Sequence, residues 1–304
     1  MPKKKKVVHL DNTPSAVALV DVPKKDRLNH LLREINKTCG QSVIHFGDEE
    51  LAWTKQPTGV KPVDDMLGGG IPYGRFTTVW GSPGCGKTSL AYSTAAQAQK
   101  DGKVVYFIAL ESFDIDRAKL FGVDVDKLVI GRFPKAEQSL DTIIKLAKEK
   151  AVDVIILDSI QALSPKNEQE EKSGAFKSTE NDTMALLARK LSQFFRMALD
   201  PVHRGNVAVL LIGQTRTNVG YIAFEQLSGG NALKHSSKLI IQMRRGQKAD
   251  APHKKIKTKE GKTENVIIGF DCVFILEKVQ SPNCKTEGTK LHLPFIYEEG
   301  FKYE

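Results

Sequence analysis

Residues 81–88 read Gly81-Ser82-Pro83-Gly84-Cys85-Gly86-Lys87-Thr88 and satisfy G-x-x-x-x-G-K-[ST] at every position. That spacing suits one task, holding the phosphates of a nucleotide. Glycines let successive backbone N–H groups turn inward around phosphate oxygens. A helix opening at Lys87 adds the positive end of its dipole. The Lys87 ammonium can reach the β- and γ-phosphates. The Thr88 hydroxyl, followed by Ser89 in the same turn, can ligate Mg2+. ATP and Mg2+ are therefore the expected ligands. A chance glycine-rich turn is the competing reading, and a full match between a strand and a helix argues against it. Cys85 is a small loop residue in one reading and a redox-sensitive thiol in the other.

Three further polar residues follow apolar runs. Asp158 ends the run Val154-Ile155-Ile156-Leu157. In a parallel sheet the strand C-termini gather beside the first phosphate loop, which suits Asp158 to the Mg2+ shell. The alternative is a strand-end Asp capping the next turn, and the pairing with Lys87 tips the balance. Glu111 follows the run 104–110. A carboxylate there can polarise the water that attacks the γ-phosphate, or it can be a first-turn helix Glu favoured by the dipole. Spacing leaves these two even. Gln214 follows the run 207–213. Its amide can contact the γ-phosphate and pull on the segment beyond it, although spacing by itself favours an ordinary polar strand end.

Elements of alternating type must position these groups. Strands are predicted over 76–81, 104–110, 128–130, 152–158, 207–213 and 238–243. Helices are predicted over 87–99, 115–121, 137–150 and 184–199. Val/Ile/Leu-rich strands separated by helices imply βαβ units and a parallel sheet covered on both faces. Residues 266–298 read as a trailing β segment. Polar stretches at 164–182 and 215–232 are long for plain connections and are candidate functional loops. Upstream, Leu28, Leu31, Leu32 and Ile35 fall at i, i+3, i+4 and i+7, predicting a helix over 24–38 with Gly40 as its C-cap. Residues 1–22, broken by Pro14, read as a mobile arm. The expected organisation is a basic arm (1–22), an oligomerisation helix with its linker (23–50) and an ATPase core (51–304).

Composition narrows the partners. Of 304 residues, 45 are Lys or Arg and 36 are Asp or Glu, a net charge of +9. The surplus favours a polyanion. No apolar run reaches the roughly eighteen residues that a membrane helix needs, so nothing is expected to span a membrane. Charge by itself does not separate nucleic acid from an anionic membrane surface, and no membrane partner is expected. Cys39, Cys85, Cys272 and Cys284 form no C-x-x-C pair, which argues against a zinc site and for a reducing compartment. The Lys3–Lys6 run follows no signal-peptide pattern. The preferred reading is a solvated tip lying on nucleic acid in a cytoplasmic protein. The minority reading is an import signal for a nuclear-type compartment.

These residues together resemble the RecA-type recombinases of bacteria and their phages. Thr58-Gly59 through Asp64, Leu67-Gly68-Gly69-Gly70 and Pro72-Tyr73-Gly74-Arg75 are similar to the family's lead-in to its phosphate loop. Residues 152–163 followed by Ser164-Pro165-Lys166 resemble its second nucleotide motif, and Gly229-Gly230-Asn231-Ala232-Leu233-Lys234 the end of its second DNA loop. Residues 28–48 resemble its N-terminal helix and linker. The resemblance covers roughly residues 25–300, with the motifs in order. It implies an α/β fold: a RecA-like P-loop ATPase core with a mostly parallel central sheet covered by helices, plus a short N-terminal helix. It implies a DNA-dependent ATPase that forms a helical filament on single-stranded DNA and exchanges strands with homologous duplex DNA in recombination and repair.

The resemblance also implies residue roles. Glu111 activates water, with Lys87 and Gln214 completing the catalytic group, and Gln214 couples the γ-phosphate to DNA binding. Segments 164–183 and 215–231 line single-stranded DNA. Met184 and Arg189 match positions at the end of the first loop, and Arg216, Val219 and Gly220 match positions at the start of the second. Arg244 and Arg245 match a basic pair turned toward a second DNA strand. Lys278 matches a lysine that reaches the nucleotide of an adjacent subunit.

The loop residues themselves agree with such a partner. Single-stranded DNA needs cations along its backbone and wedges or platforms among its bases. Arg216, Val219, Tyr221, Ile222 and Phe224 offer both, although Tyr221 and Phe224 also suit a lid packing on its own core. Residues 248–262 hold six lysines against Asp250 and Glu260, a solvated charge run or a secondary site for duplex DNA in equal measure.

Departures from the family pattern are expected in four places. No counterpart of the family's C-terminal domain follows Phe301. Arg117 stands near the position of an aromatic that stacks on adenine. Leu276 replaces one of the family's two cross-subunit lysines. His235 replaces an aromatic subunit contact. The compact length and basic start suggest a phage-encoded member. A ring-forming RecA-fold motor and a protein using ATP only as a structural switch are the competing functions.

Overall fold

A computed structural model describes residues 23–40, 43–44, 47, 53–164, 184–218, 224–227, 230–257 and 263–303. The chain divides into two compact units, 1–52 and 53–304. The first holds helix α1 (Lys24–Cys39), closed by Gly40 in the left-handed conformation at φ 66°, as a helix C-terminus favours. Asn36 then pins the outgoing chain, accepting from the backbone N–H groups of Val43 and Ile44 and donating to the Ile44 carbonyl. Among the described residues of this unit nothing covers Leu28, Leu31 and Ile35, which are exposed.

The second unit follows the predicted alternation. Its elements are β1 (Lys55–Gln56), α2 (Lys61–Met66), β2 (Ile71–Pro72), β3 (Phe76–Gly81), α3 (Lys87–Lys100), β4 (Val105–Ala109), α4 (Ile115–Leu120), β5 (Val129–Gly131), α5 (Ala136–Lys148) and β6 (Val154–Asp158). There follow α6 (Met184–Gly205), β7 (Ala208–Asn218), β8 (Phe224–Leu227), α7 (Gly230–Ser236), β9 (Ser237–Arg245), β10 (His253–Lys257), β11 (Thr263–Ile267), β12 (Gly269–Val279), β13 (Lys290–Ile296) and β14 (Gly300–Phe301).

Among the described residues ten strands form one sheet, in the order β14-β13-β12-β9-β3-β7-β6-β4-β5 with β8 beside β7. From β9 to β5 every pairing is parallel. The β12–β13–β14 edge and β8 are antiparallel additions.

Both faces of the parallel part are covered, which is why its strands are apolar at nearly every position. Along β6, Val154 and Ile156 enter one core while Ile155 and Leu157 enter the other. The first core takes Leu90, Ala91, Ala95 and Ala98 of α3, whose small residues let the helix lie close to the sheet. The second takes Leu140 and Ile143 of α5 with Leu191, Phe194 and Phe195 of α6. Phe76 meets Phe194 and Phe195 edge-on at 5.9 and 5.1 Å, a favoured aromatic geometry. Buried Val202 carries α6 past Pro201 to Gly205, beyond the predicted end at 199.

One expectation needs correction. The segment 215–231 is not a plain loop. β7 continues to Asn218 and pairs antiparallel with β8, and α7 begins at Gly230. Cross-strand pairing satisfies the backbone of 215–218 and 224–227, within a stretch whose polar composition suggests a functional loop. The trailing β segment 266–298 is found as expected. It takes in the end of β11 and all of β12 and β13, with β11 pairing with β10 in a separate ribbon and β12 joining the main sheet through β9.

Candidate functional site

Parallel pairing lines up the strand ends that carry the polar residues. Gly81 lies opposite Gln214 and Met243, and Asp158 lies opposite Ala109, two residues before Glu111. Segment 81–88 turns between β3 and α3. A Cβ on Gly81 would fall 1.8 Å from the Met243 carbonyl oxygen, so only glycine fits there. Gly84 adopts φ 70°, a conformation costly for other residues. Lys87 is buried, and its ammonium donates to the carbonyls of Gly81 at 2.9 Å and Ser82 at 2.8 Å. Burial raises the Cys85 thiol pKa, which opposes thiolate chemistry and favours the plain loop-residue reading.

Thr88 Oγ1 donates to Asp158 Oδ2 at 2.7 Å. Burial raises the Asp158 pKa, and the Thr88 hydrogen bond opposes that rise. A hydroxyl and one carboxylate, converging beside a phosphate loop, form a donor set that fits Mg2+. That ion keeps several waters and shares phosphate oxygens with few protein ligands. Next to the loop a cavity of about 300 Å3 is lined by Lys87, Thr88, Ser89, Arg117, Arg245 and Tyr297 among others. Its loop, cations and aromatic walls fit a nucleoside triphosphate.

Glu111 stands outside the helix that follows it. α4 begins at Ile115 with Asp114 as its cap, Oδ1 accepting from Arg117 N at 2.9 Å. The first-turn reading of Glu111 therefore falls. Its carboxylate oxygen Oε1 instead accepts from Ser159 Oγ at 2.5 Å and from Gln214 Nε2 at 2.6 Å. Gln214 N donates to Gln161 Oε1 at 2.7 Å. A linked group thus runs from Glu111 through Gln214 into β7, and from there to the β7–β8 hairpin.

The sequence profile of the RecA N-terminal domain matches residues 26–270. The chain belongs to the RecA N-terminal domain family. The RecA protein of Nautilia profundicola is 38% identical over 233 residues, covering 74% of this chain and 65% of that relative. RecA of Sulfurovum sp. is 38% identical over 234 residues with the same two shares. RecA of Francisella philomiragia is 36% identical over 230 residues, covering 73% of this chain and 62% of the relative. The matched stretch thus spans just under two thirds of these relatives.

Within this RecA-family core, the remaining candidate residues separate. Arg189 is exposed on α6, and Met184 is the first residue of that helix. Arg216 lies in β7 opposite Gln226, and Phe224 opposite Asn218. Val219, Gly220 and Tyr221 lie outside the described residues, as do 1–22 and 165–183. Arg244 and Arg245 are both exposed at the end of β9, and Arg245 lies on the phosphate loop, donating to the Gly84 carbonyl. Lys278 lies opposite Ile240, near the middle of β9. Its ammonium donates to the carbonyls of Lys234 at 2.6 Å and His235 at 3.1 Å, and burial lowers its pKa. Arg117 packs beside the cavity, 5.7 Å from the rings of Phe121 and Phe295. Among the described residues no helix is long and apolar enough to cross a membrane.

Sequence reasoning missed Ser159, Gln161, Phe270 and Tyr297. The first two carried a readable signal, polar side chains directly after the strand-end Asp158. The other two carried none, because they reach the site only through the antiparallel edge. Gln161→Leu removes the acceptor of the Gln214 N–H and is expected to cost about 1–3 kcal/mol. A lower urea midpoint with an unchanged slope would register it. An unmoved midpoint would mean that the N–H finds another acceptor at no cost.

Proposed function

We propose that this chain is an ATP-dependent recombinase. In this reading it binds ATP with Mg2+, assembles as a helical filament on single-stranded DNA, and pairs that strand with homologous duplex DNA. It hydrolyses ATP to ADP and phosphate in a DNA-dependent manner. The observation that carries the reading is the hydrogen bond from Gln214 to Glu111. It joins the carboxylate suited to activating water with the strand leading directly to a loop suited to DNA. A change at the γ-phosphate and a change at the hairpin are thereby felt by one side chain.

Roles follow from position. Lys87 and the inward N–H groups of 81–88 neutralise and orient the phosphates. Thr88 and Asp158 would hold Mg2+, which when bound withdraws charge from the β- and γ-phosphates. Glu111 takes the proton of the attacking water. Ser159 and Gln214 fix the direction of that carboxylate. Arg189, Arg216 and Arg244 supply cations for DNA phosphates, Val219, Tyr221 and Phe224 the wedge among bases, and Gly220 a backbone position beside them. The uncovered stripe Leu28, Leu31 and Ile35 suits docking on a second copy, in a head-to-tail contact that need not close. Lys278 then serves the neighbour's nucleotide. The likeness to bacterial RecA proteins supports a cytoplasmic setting, that of the host cell for a phage-encoded member.

ATP hydrolysis with and without single-stranded DNA, at two salt concentrations, tests the reading. Strong stimulation by DNA that fades as salt rises is expected, because phosphate contacts release counterions. Turnover indifferent to DNA would overturn the DNA assignment and leave an ATPase of another kind.

A further inference from the structure

We propose that Arg245 is a positioning residue of the nucleotide site: its guanidinium holds the phosphate loop in the form that accepts phosphate. The proposal rests on residues 81–88 being the ATP site, and it departs from the expectation that Arg245 turns toward a second DNA strand. Arg245 ends β9, and β9 lies parallel to β3 with Met243 opposite Gly81. The last residues of β9 therefore run alongside the loop that leaves β3. Arg245 Nε and Nη2 donate to the Gly84 carbonyl at 3.0 and 2.9 Å. The guanidinium lies 4.5 Å from the centre of the Phe270 ring, which fixes its plane.

The neighbouring carbonyl is held in the same way. Cys85 O accepts from Cys272 Sγ at 3.3 Å, and Cys272 lies opposite Arg245 on β12. Backbone N–H groups of the loop can turn in toward phosphate only if the adjacent carbonyls turn out. An outward carbonyl can be fixed in that direction by a donor. The Cys85 carbonyl is buried against the sheet, while the Gly84 carbonyl lies at the surface, where two donors from one guanidinium set its direction. Arg245 and Cys272 supply the donors for two successive carbonyls. Gly84 is also where a Cβ would meet Arg245 Nη2 at 3.0 Å, so a bare glycine and the arginine fit as a pair. Arg245 lines the cavity together with Lys87, Thr88 and Arg117 and adds positive charge to it. Loop geometry and charge thus both depend on a residue about 160 positions downstream (161 by sequence separation).

The test is ATP–Mg2+ affinity in the absence of DNA, measured by calorimetry on the full chain. Wild type is compared with Arg245→Ala, Arg245→Lys, Lys87→Ala and Lys148→Ala, the last a surface charge loss on α5. Arg245→Ala is expected to weaken ATP binding by about tenfold or more, as two charge-assisted hydrogen bonds to the loop are lost, with an unchanged unfolding midpoint. Lys148→Ala should match wild type. Arg245→Lys should recover only part of the loss, because an ammonium keeps the charge but not the two-pronged grip. Should Arg245→Ala fold poorly, Arg245→Lys carries the test: its affinity below wild type supports the proposal and equal affinity overturns it. Wild-type ATP affinity in Arg245→Ala, with loss in Lys87→Ala, overturns the proposal and returns Arg245 to DNA. Wild-type affinity in Lys87→Ala overturns the nucleotide-site reading itself.

Discussion

Lys87→Ala is expected to abolish ATP binding and, with it, all ATP-dependent DNA binding. Lys87 is buried at the base of the loop and reaches carbonyl oxygens of Gly81 and Ser82, so its ammonium already sits among outward-turned backbone groups. Phosphate brought into a site without that charge is left desolvated and unmatched. Removing one partner of a buried charge pair costs about 3–5 kcal/mol, which is a loss of roughly two to three and a half orders of magnitude in affinity. Titration of ATP–Mg2+ into the variant, with thermal unfolding as a control for the two lost carbonyl contacts, measures it. A correctly folded variant with wild-type affinity would remove segment 81–88 from the function.

Glu111→Gln is expected to keep ATP binding while slowing hydrolysis by a factor of about a hundred or more, the range for loss of a general base. The amide oxygen can still accept from Ser159 Oγ and Gln214 Nε2, so the local network survives. What is lost is the ability to take a proton from water. Single-turnover hydrolysis with ATP in excess of its dissociation constant separates the two effects. Turnover equal to wild type would reduce Glu111 to an anchor for Gln214. Loss of binding together with turnover would mean that the carboxylate shapes the site and does not do the chemistry.

Both predictions concern residues visible in the sequence, and the reason is local. A phosphate loop is one contiguous segment whose glycines, lysine and threonine are set by the turn itself. Asp158 and Glu111 follow runs of apolar residues, and a parallel sheet brings such strand ends to one edge whatever the strand order. Fold class was legible on the same ground. Buried parallel strands are apolar at nearly every position, and helices between them show a 3.6-residue period.

Other features were decided by tertiary structure. Periodicity does not say which strands are neighbours, and the order β9-β3-β7-β6-β4-β5 rests on packing against both cores. That order sets Gln214 beside Gly81 and within reach of Glu111. It also sent 215–218 into a strand, because β8 lay ready to satisfy its backbone. The far wall of the cavity combines Arg245, from the end of parallel β9, with Phe270 and Tyr297 of the antiparallel edge, residues that show no spacing relative to the loop they face. Short-range rules thus determined the phosphate loop, the strand-end carboxylates and the alternation of elements. Long-range strand pairing alone decided which of the two basic residues at the end of β9 lies against the phosphate loop, because that choice depends on neighbours about 160 residues away (161 for Arg245 and Gly84).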